Sequence, residues 1–274
     1  MNAGHGTAAA RRRDLARILE RIEGALRRAG ALLADLAQRD LAVEHKSPGH
    51  PVTAADRAAD DLLRRMLPED GDGWLSEETV DDRRRLERRR VWVVDPLDGT
   101  KEFVAGIPEW SVSVALVEDG RAVAGGVYNP LAERLVLGAE GLGVTLGGAA
   151  AATTVRETVA GARVLASRSE MRRGEWKRFA EAGVEVVATG SVAYKLSLVA
   201  AGLADATWTL QPKSEWDVAA GTALVLAAGG DVRLPDGARP VFNRPRVELP
   251  GLLAAGRPLA GLVVEMLSGV ESRV

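Results

Sequence analysis

The chain has 274 residues, 46% of them hydrophobic and 30 of them glycine, which is ample for a buried core in one large domain or two lobes. Its 36 basic and 38 acidic residues leave a formal net charge of −2, which excludes a global basic field for wrapping nucleic acid and an acidic, solvating tail. Cysteine is absent and the three histidines, His5, His45 and His50, lack metal-ligand spacing, so disulfides, thiolate sites and cysteine nucleophiles are excluded and any metal site is expected to be oxygen-rich.

Residues 1–10 read as a disordered start without the apolar core of a signal peptide, and no apolar run is long enough to span a bilayer; a soluble cytoplasmic protein is expected. Over 14–38, Leu15, Ile18, Ile22, Leu26, Leu33 and Leu36 recur at three- and four-residue steps, the pattern of an amphipathic helix. Residues 46–51 read as a loop. Thr53 looks like the N-cap of a second helix reaching about residue 67. Asp70-Gly71-Asp72-Gly73 is turn chemistry, and Trp74-Leu75-Ser76 reads as a short strand that delivers Glu77-Glu78. The charge run over 81–90 reads as a solvated surface segment, and its interspersed acids argue against a nucleic-acid arm.

Strands are predicted over 91–95, 111–118, 123–128 and 134–138, with Asp119-Gly120 as a hairpin turn. The glycines of 141–148 read as turns, because no Lys-Ser/Thr ending makes them a phosphate loop. The small, polar stretch 149–160 is the expected boundary between an N-terminal lobe, 1–150, and a C-terminal lobe, 151–274. Strands over 163–167, 184–188, 206–210 and 231–234 then alternate with helices over 174–182, 191–201 and 218–228, which predicts an α/β layered half. A strand over 252–255 and a helix over 259–267 close the chain.

The chemistry is concentrated in Trp92-Val93-Val94-Asp95-Pro96-Leu97-Asp98-Gly99-Thr100-Lys101-Glu102-Phe103. An apolar, β-branched run ends abruptly in two acids, a glycine and a hydroxyl. Two carboxylates three residues apart on a turn can converge on one hard cation, and Gly99-Thr100 can offer backbone N–H groups to an anion. Further acids also fall at element ends: Asp56 in the first turn of a helix, Glu77 and Glu78 after a strand, and Asp217 opening a helix. Each has an ordinary reading: Asp217 as an N-cap, Asp56 on the helix dipole, Glu77-Glu78 as surface polarity, Asp95 and Asp98 as turn formers. Jointly those readings fail, because an unpaired carboxylate at the end of a Val- and Trp-rich strand is costly. Asp95, Asp98, Glu77 and Asp217 could together hold two or more Mg2+ ions, and without metal such a cluster would raise its own pKa values.

These motifs resemble the inositol monophosphatase superfamily of Mg2+-dependent, lithium-sensitive phosphomonoesterases. The matching segments are Pro51-Val52-Thr53-Ala54-Ala55-Asp56, Ser76-Glu77-Glu78, Asp95-Pro96-Leu97-Asp98-Gly99-Thr100 and Trp216-Asp217-Val218-Ala219-Ala220-Gly221, in that order, and the resemblance spans about residues 12–268. It implies an α/β fold layered as an α-β-α-β-α sandwich, commonly as a homodimer. It implies that Glu77, Asp95 and the Leu97 carbonyl bind a first metal, that Asp95, Asp98 and Asp217 bind a second, and that a third ion sits near Glu77. It takes Glu77 rather than Glu78 as the ligand. Thr100, with Asp56 or Glu77, would position and deprotonate the attacking water, and Gly99 and Thr100 N–H groups would cradle the phosphate. Hydrolysis would proceed by direct attack of water on phosphorus, with no phosphoenzyme.

Lys101-Glu102-Phe103 resembles the 3'(2'),5'-bisphosphate nucleotidase branch, which converts adenosine 3'(2'),5'-bisphosphate to AMP and phosphate. Inositol monophosphatases usually place an acid seven residues before the Asp that matches Asp217, and nucleotidases often an Arg eight before it; here those positions are Leu210 and Thr209. Gly190-Ser191-Val192-Ala193-Tyr194-Lys195 parallels the nucleotidase Gly-Ser-Ser-Leu-Lys one residue out of register. Gly190, Ser191, Tyr194, Lys195 and Lys213 are therefore the expected substrate residues, with Tyr194 stacking a base and Lys195 or Lys213 pairing with a second phosphate. The expected partner is a small phosphorylated metabolite, with no nucleic acid polymer and no membrane. Inositol 1-phosphate or fructose 1,6-bisphosphate are alternatives with the same chemistry, and a non-catalytic sensor of a phosphorylated metabolite is the alternative of another class.

Overall fold

The computed structural model describes residues 3–38, 43–47 and 50–271. Helix α1 spans Ala3–Ala37, so the expected disordered start is corrected from Ala3 onward. The run Ala8-Ala9-Ala10 consists of the strongest helix former and extends the periodic segment backwards. Strands β1 (Val43–Ser47) and β2 (His50–Thr53) pair antiparallel where a loop was expected. Pairing of Val43 with Thr53 and of Glu44 with Val52 draws these residues into a ladder that local composition does not report. Helix α2 (Ala54–Met66) follows directly.

A seven-stranded sheet comes next in the chain: β3 (Gly73–Ser76), β4 (Arg90–Asp98), β5 (Ser111–Glu118), β6 (Arg121–Asn129), β7 (Arg134–Ala139), β8 (Gly143–Leu146) and β9 (Ala149–Ala151). The strands lie in that order, with only β3 and β4 parallel, and helix α3 (Thr100–Val104) follows β4. The region of glycine turns thus contains a strand, β8, with β9 directly after it. Gly141, Gly143, Gly147 and Gly148 all have positive φ and bracket β8, so the glycines mark its ends.

The rest of the chain supplies β10 (Arg163–Ser167), α4 (Arg168–Arg172), α5 (Lys177–Glu181), β11 (Glu185–Thr189), α6 (Val192–Ala200), β12 (Ala206–Thr209), β13 (Lys213–Ser214), α7 (Glu215–Ala227), β14 (Gly230–Arg233), β15 (Glu248–Leu249), β16 (Leu252–Gly256) and α8 (Arg257–Glu271). Five of these strands form a mixed sheet in the order β11-β10-β12-β16-β14. The helix expected over 174–182 is shortened to α5, and a further short helix, α4, precedes Gly174, whose φ is +79°.

The strand period of two sorts the apolar residues into layers. On β4 and β5, Trp92, Val94 and Leu116 face α1 and α2, where they meet Ile22, Leu26 and Leu63. Their alternates Val91, Val93, Ala115 and Val117 face α6 and α7, meeting Leu196, Val199, Val218 and Leu224. The same helices cover Leu165, Val232 and Ala254 of the five-stranded sheet. The far side of that sheet packs Val164, Ala206, Trp208 and Leu253 against Trp176, Phe179, Leu259 and Val263. The result is an α-β-α-β-α sandwich whose middle helical layer is shared by both sheets. Among the described residues no helix is long and apolar enough to cross a membrane.

One member of the surface charge run is not solvated. Arg85 is only 2% exposed. Its Nε and Nη2 donate to the two carboxylate oxygens of Asp81 at 3.1 and 2.9 Å, and Nη1 donates to Asn243 Oδ1 at 2.8 Å. A guanidinium so fully partnered can sit in the interior, and the sequence pattern of alternating charges cannot single it out.

Candidate active site

The central turn is fixed by its own backbone. The β4–β5 register is irregular between Asp95 and Asp98, and the Leu97 N–H donates to Asp95 Oδ1 at 3.0 Å. Gly99 has φ +98°, and a Cβ there would lie 3.1 Å from the Glu109 carbonyl, so both conformation and space call for glycine. Thr100 Oγ1 lies 3.2 Å from Asp56 Oδ1 and 3.2 Å from the Leu97 carbonyl, and its single proton can go to either.

Three acids from three elements converge. One carboxylate oxygen from each of Glu77, Asp95 and Asp217 lies within 4.8 Å of the other two. Glu77 stands just past β3, and its neighbours are pinned from α2: Ser76 Oγ donates to Asp60 Oδ1 at 2.5 Å and Thr79 Oγ1 donates to Asp60 Oδ2 at 2.6 Å. Asp56 and Asp60, four residues apart, share the buried face of α2 with Ala55, Ala59 and Leu63. That spacing was the available signal for Asp60, which sequence reasoning passed over. Asp217 belongs to the first turn of α7, where the Ser214 N–H donates to its Oδ2 at 3.0 Å. Ser214 is therefore the N-cap, and Asp217 is the acid of a capping box as well as a member of the triad.

Asp98, whose charge acts on both Asp95 and Asp217, is anchored from another element. Its Oδ2 accepts from Ser191 Oγ at 2.6 Å and from the Ala193 N–H at 2.5 Å, at the start of α6. Ser191 holds φ +56°, a strained value for a residue with a Cβ, and its hydroxyl also meets Ser111 Oγ at 3.0 Å. Asp98 thus joins the metal turn to the loop before α6.

The cluster repels itself. Burial, then the charges of Glu77, Asp98 and Asp217, hold the Asp95 carboxyl well above the ordinary range. Asp217 is pushed up to about 8 by burial first and then by Asp98 and Glu77, against the opposing pull of Lys213. Burial also raises Asp98, offset in part by the Ser191 hydroxyl and Lys195. An all-oxygen, mutually repulsive donor set, with Asp95 buried, Asp217 half-buried and Glu77 open to solvent, fits a hard divalent cation.

These groups open on a cavity of about 430 Å³. Glu77, Asp95, Leu97, Asp98, Gly99, Thr100 and Asp217 line it, and so do Gly190, Ser191 and Lys195 from the expected substrate set. Lys195 is buried, and its Nζ donates to the Ser191 carbonyl at 2.9 Å and more weakly to that of Thr189 at 3.4 Å. Tyr194 does not line the cavity: its ring joins the central core and its hydroxyl accepts from Arg134 Nη1 at 2.8 Å. The N-cap at Ser191 sets the helical phase that turns Tyr194 towards the core, which corrects its assignment as a base-stacking residue. Lys213 lines a small adjoining cavity with Glu170 and Thr209, and its charge acts on both Asp98 and Asp217. Arg168 and Glu102 do line the main cavity and were not singled out as substrate residues. Arg168 pairs with Glu109 at 2.6 and 2.7 Å, and burial raises the Glu102 pKa.

The family model for the inositol monophosphatase family matches residues 14–268. The chain belongs to the inositol monophosphatase family. Members of this family are metal-dependent phosphatases, and this chain is a phosphatase of that kind. It is 33% identical to an inositol-1-monophosphatase of Mesorhizobium japonicum, covering 81% of this chain and 86% of that protein. It is 32% identical to a 3'-phosphoadenosine 5'-phosphate phosphatase of Mycobacterium leprae, covering 88% of this chain and 90% of that one. Among solved structures, the extragenic suppressor protein suhB of Bartonella henselae superposes with a TM-score of 0.79 at 28% identity, covering 92% of this chain and 98% of the other. Family relatives at similar distance thus carry different substrate names.

Proposed function

We propose that this family member is a Mg2+-dependent phosphomonoesterase that removes the 3'(2')-phosphate of adenosine 3'(2'),5'-bisphosphate, leaving AMP and inorganic phosphate. The observation that carries the reading is one cavity lined both by the carboxylate triad beside Thr100 and by the cations Lys101, Arg168 and Lys195. Glu77, Asp95, Asp98, Asp217 and the Leu97 carbonyl would hold two to three Mg2+ ions. When bound, the ions would lower the pKa of water and neutralise charge on the phosphoryl oxygens. With its hydroxyl proton directed to Asp56, the Thr100 oxygen would be free to accept a hydrogen bond from an attacking water. Glu77 stands on the same wall to take a proton from that water. The Gly99 and Thr100 N–H groups would face the phosphate oxygens as charge builds on them. The water oxygen bonds to phosphorus as the ester P–O bond breaks, and the departing alkoxide takes up a proton from solvent. Sensitivity to lithium and a homodimeric state come to this reading from the family resemblance, and a cytoplasmic location from the sequence expectation.

Inositol 1-phosphate is the second reading, favoured by the relative from Mesorhizobium japonicum. Against it stands Leu210, at the position where the family resemblance expects an acid for inositol hydroxyls; it is 42% exposed and lines other pockets than the main cavity. The test is initial rates on adenosine 3',5'-bisphosphate, inositol 1-phosphate and fructose 1,6-bisphosphate with Mg2+ present and absent. The bisphosphate nucleotide should give the highest kcat/KM, and only with Mg2+. A higher value on either competitor would replace the substrate assignment, and no release from any of the three would favour a non-catalytic sensor.

A further inference from the structure

We infer that Arg168 is the specificity residue for the second phosphate of the substrate, held ready by Glu109; this rests on the bisphosphate reading above. Arg168 opens α4 and lines the same cavity as the acid triad. Its Nε donates to Glu109 Oε2 at 2.7 Å and its Nη2 to Glu109 Oε1 at 2.6 Å. Glu109 is pinned from a second side, because the Gly190 N–H donates to the same Oε2 at 2.7 Å. Only glycine fits at this position, since a Cβ there would fall 2.6 Å from Glu102 Cγ and 2.7 Å from the Glu109 carbonyl.

The geometry fixes the guanidinium plane without exhausting it. A guanidinium has five N–H donors, and the carboxylate consumes one on Nε and one on Nη2. Both Nη1 protons and one Nη2 proton are left, a fork suited to two phosphate oxygens. Arg168 is 31% exposed and Glu109 is 22% exposed, so the pair sits at the cavity surface and not in the core. Lys101, exposed on the same wall, adds charge without orientation. The two lysines expected from sequence are less suited to this task. Lys195 is buried against two carbonyls, and Lys213 lines the neighbouring void. An arginine whose plane is already set loses less freedom on meeting a phosphate than a mobile lysine does.

The test compares kcat/KM on adenosine 3',5'-bisphosphate and on adenosine 3'-monophosphate, which lacks the second phosphate, in the wild type, Arg168→Met and Arg168→Lys, with full-length protein and Mg2+. The wild type should prefer the bisphosphate by at least about tenfold, the weight of one charge-assisted hydrogen bond. Arg168→Met should lose that preference through KM while its kcat/KM on the monophosphate stays within about threefold of wild type, a split tied to transition-state and ground-state binding alike. Arg168→Lys, which keeps the charge and melts like wild type, should lose most of the preference, so the test stands even if the methionine variant misfolds. A wild type with no preference overturns the bisphosphate reading itself. A preference that survives in both variants, or an equal loss on both substrates, overturns the role of Arg168 alone.

Discussion

Replacing Asp98 by Asn isolates the charge of a single carboxylate while keeping its shape. In the wild type one oxygen accepts from Ser191 Oγ and the Ala193 N–H. An asparagine oxygen can accept from both, so the loss is only charge assistance, about 1 kcal/mol for each bond. Against this, the substitution removes a buried charge that raises the pKa of both Asp95 and Asp217. The metal-free variant should therefore fold within about 2 kcal/mol of wild type. Metal tells the two apart. At a hundredfold excess over Kd, a bound ion stabilises the wild type by about 2.7 kcal/mol, which is about 5–10 °C in Tm for a chain of this size. If losing the ligand weakens binding about a hundredfold, the same Mg2+ concentration gives only about 0.4 kcal/mol, or about 1 °C. Turnover should fall by about 100- to 1000-fold or more, as for removal of one preorganised charge-stabilising group. Scanning calorimetry with and without Mg2+, together with phosphate release, reads both quantities. An Asp98→Asn protein that keeps the wild-type Mg2+ shift and wild-type turnover would refute the placement of Asp98 in the metal site.

Three further outcomes follow from other contacts. Thr100→Ala removes the hydroxyl between Asp56 and the Leu97 carbonyl and should lower kcat by about 100- to 10,000-fold, with Thr100→Ser recovering most of it; a Mg2+-induced Tm shift that vanished in Thr100→Ala would mean the hydroxyl serves metal binding instead. Gly221→Ala places a methyl group into the Leu196 side chain where α6 and α7 meet, at a cost of about 1–3 kcal/mol, and an unchanged urea midpoint would contradict that packing. Asp217, at about 8, and Asp95 both have folded pKa values above their unfolded ones, so their protonated forms favour folding. In chelator, that stability is full below the unfolded value and is lost as pH rises towards about 8 and beyond, so Tm should fall between about pH 5 and pH 9. Asp217→Asn should flatten the slope, and an equally steep slope in that variant would count against the assignment.

The residue types of the site were legible because they break local rules: acids at the ends of apolar strands and in first helical turns, and a glycine where φ must be positive. Asp56, Glu77, Asp95, Asp98, Thr100 and Asp217 could be named from such breaks, and a family resemblance could rest on their order. Most helices and strands were equally local, since Leu15 to Leu33 repeat with the helical period and Asp119-Gly120 marks a hairpin on its own. Only the tertiary structure decided which groups meet. Strand pairing made β1 and β2 out of an expected loop and β8 out of expected turns. Helical phase sent Tyr194 into the core, and burial made Arg85 a clamp within a charge run. Distant packing brought Glu109, Arg168 and Gly190 together, and tied one oxygen of Asp98 to the start of α6. The reason is one of range. Propensity and turn chemistry act over a few residues, whereas pairing, burial and the partners of a charge depend on chain that returns from far away.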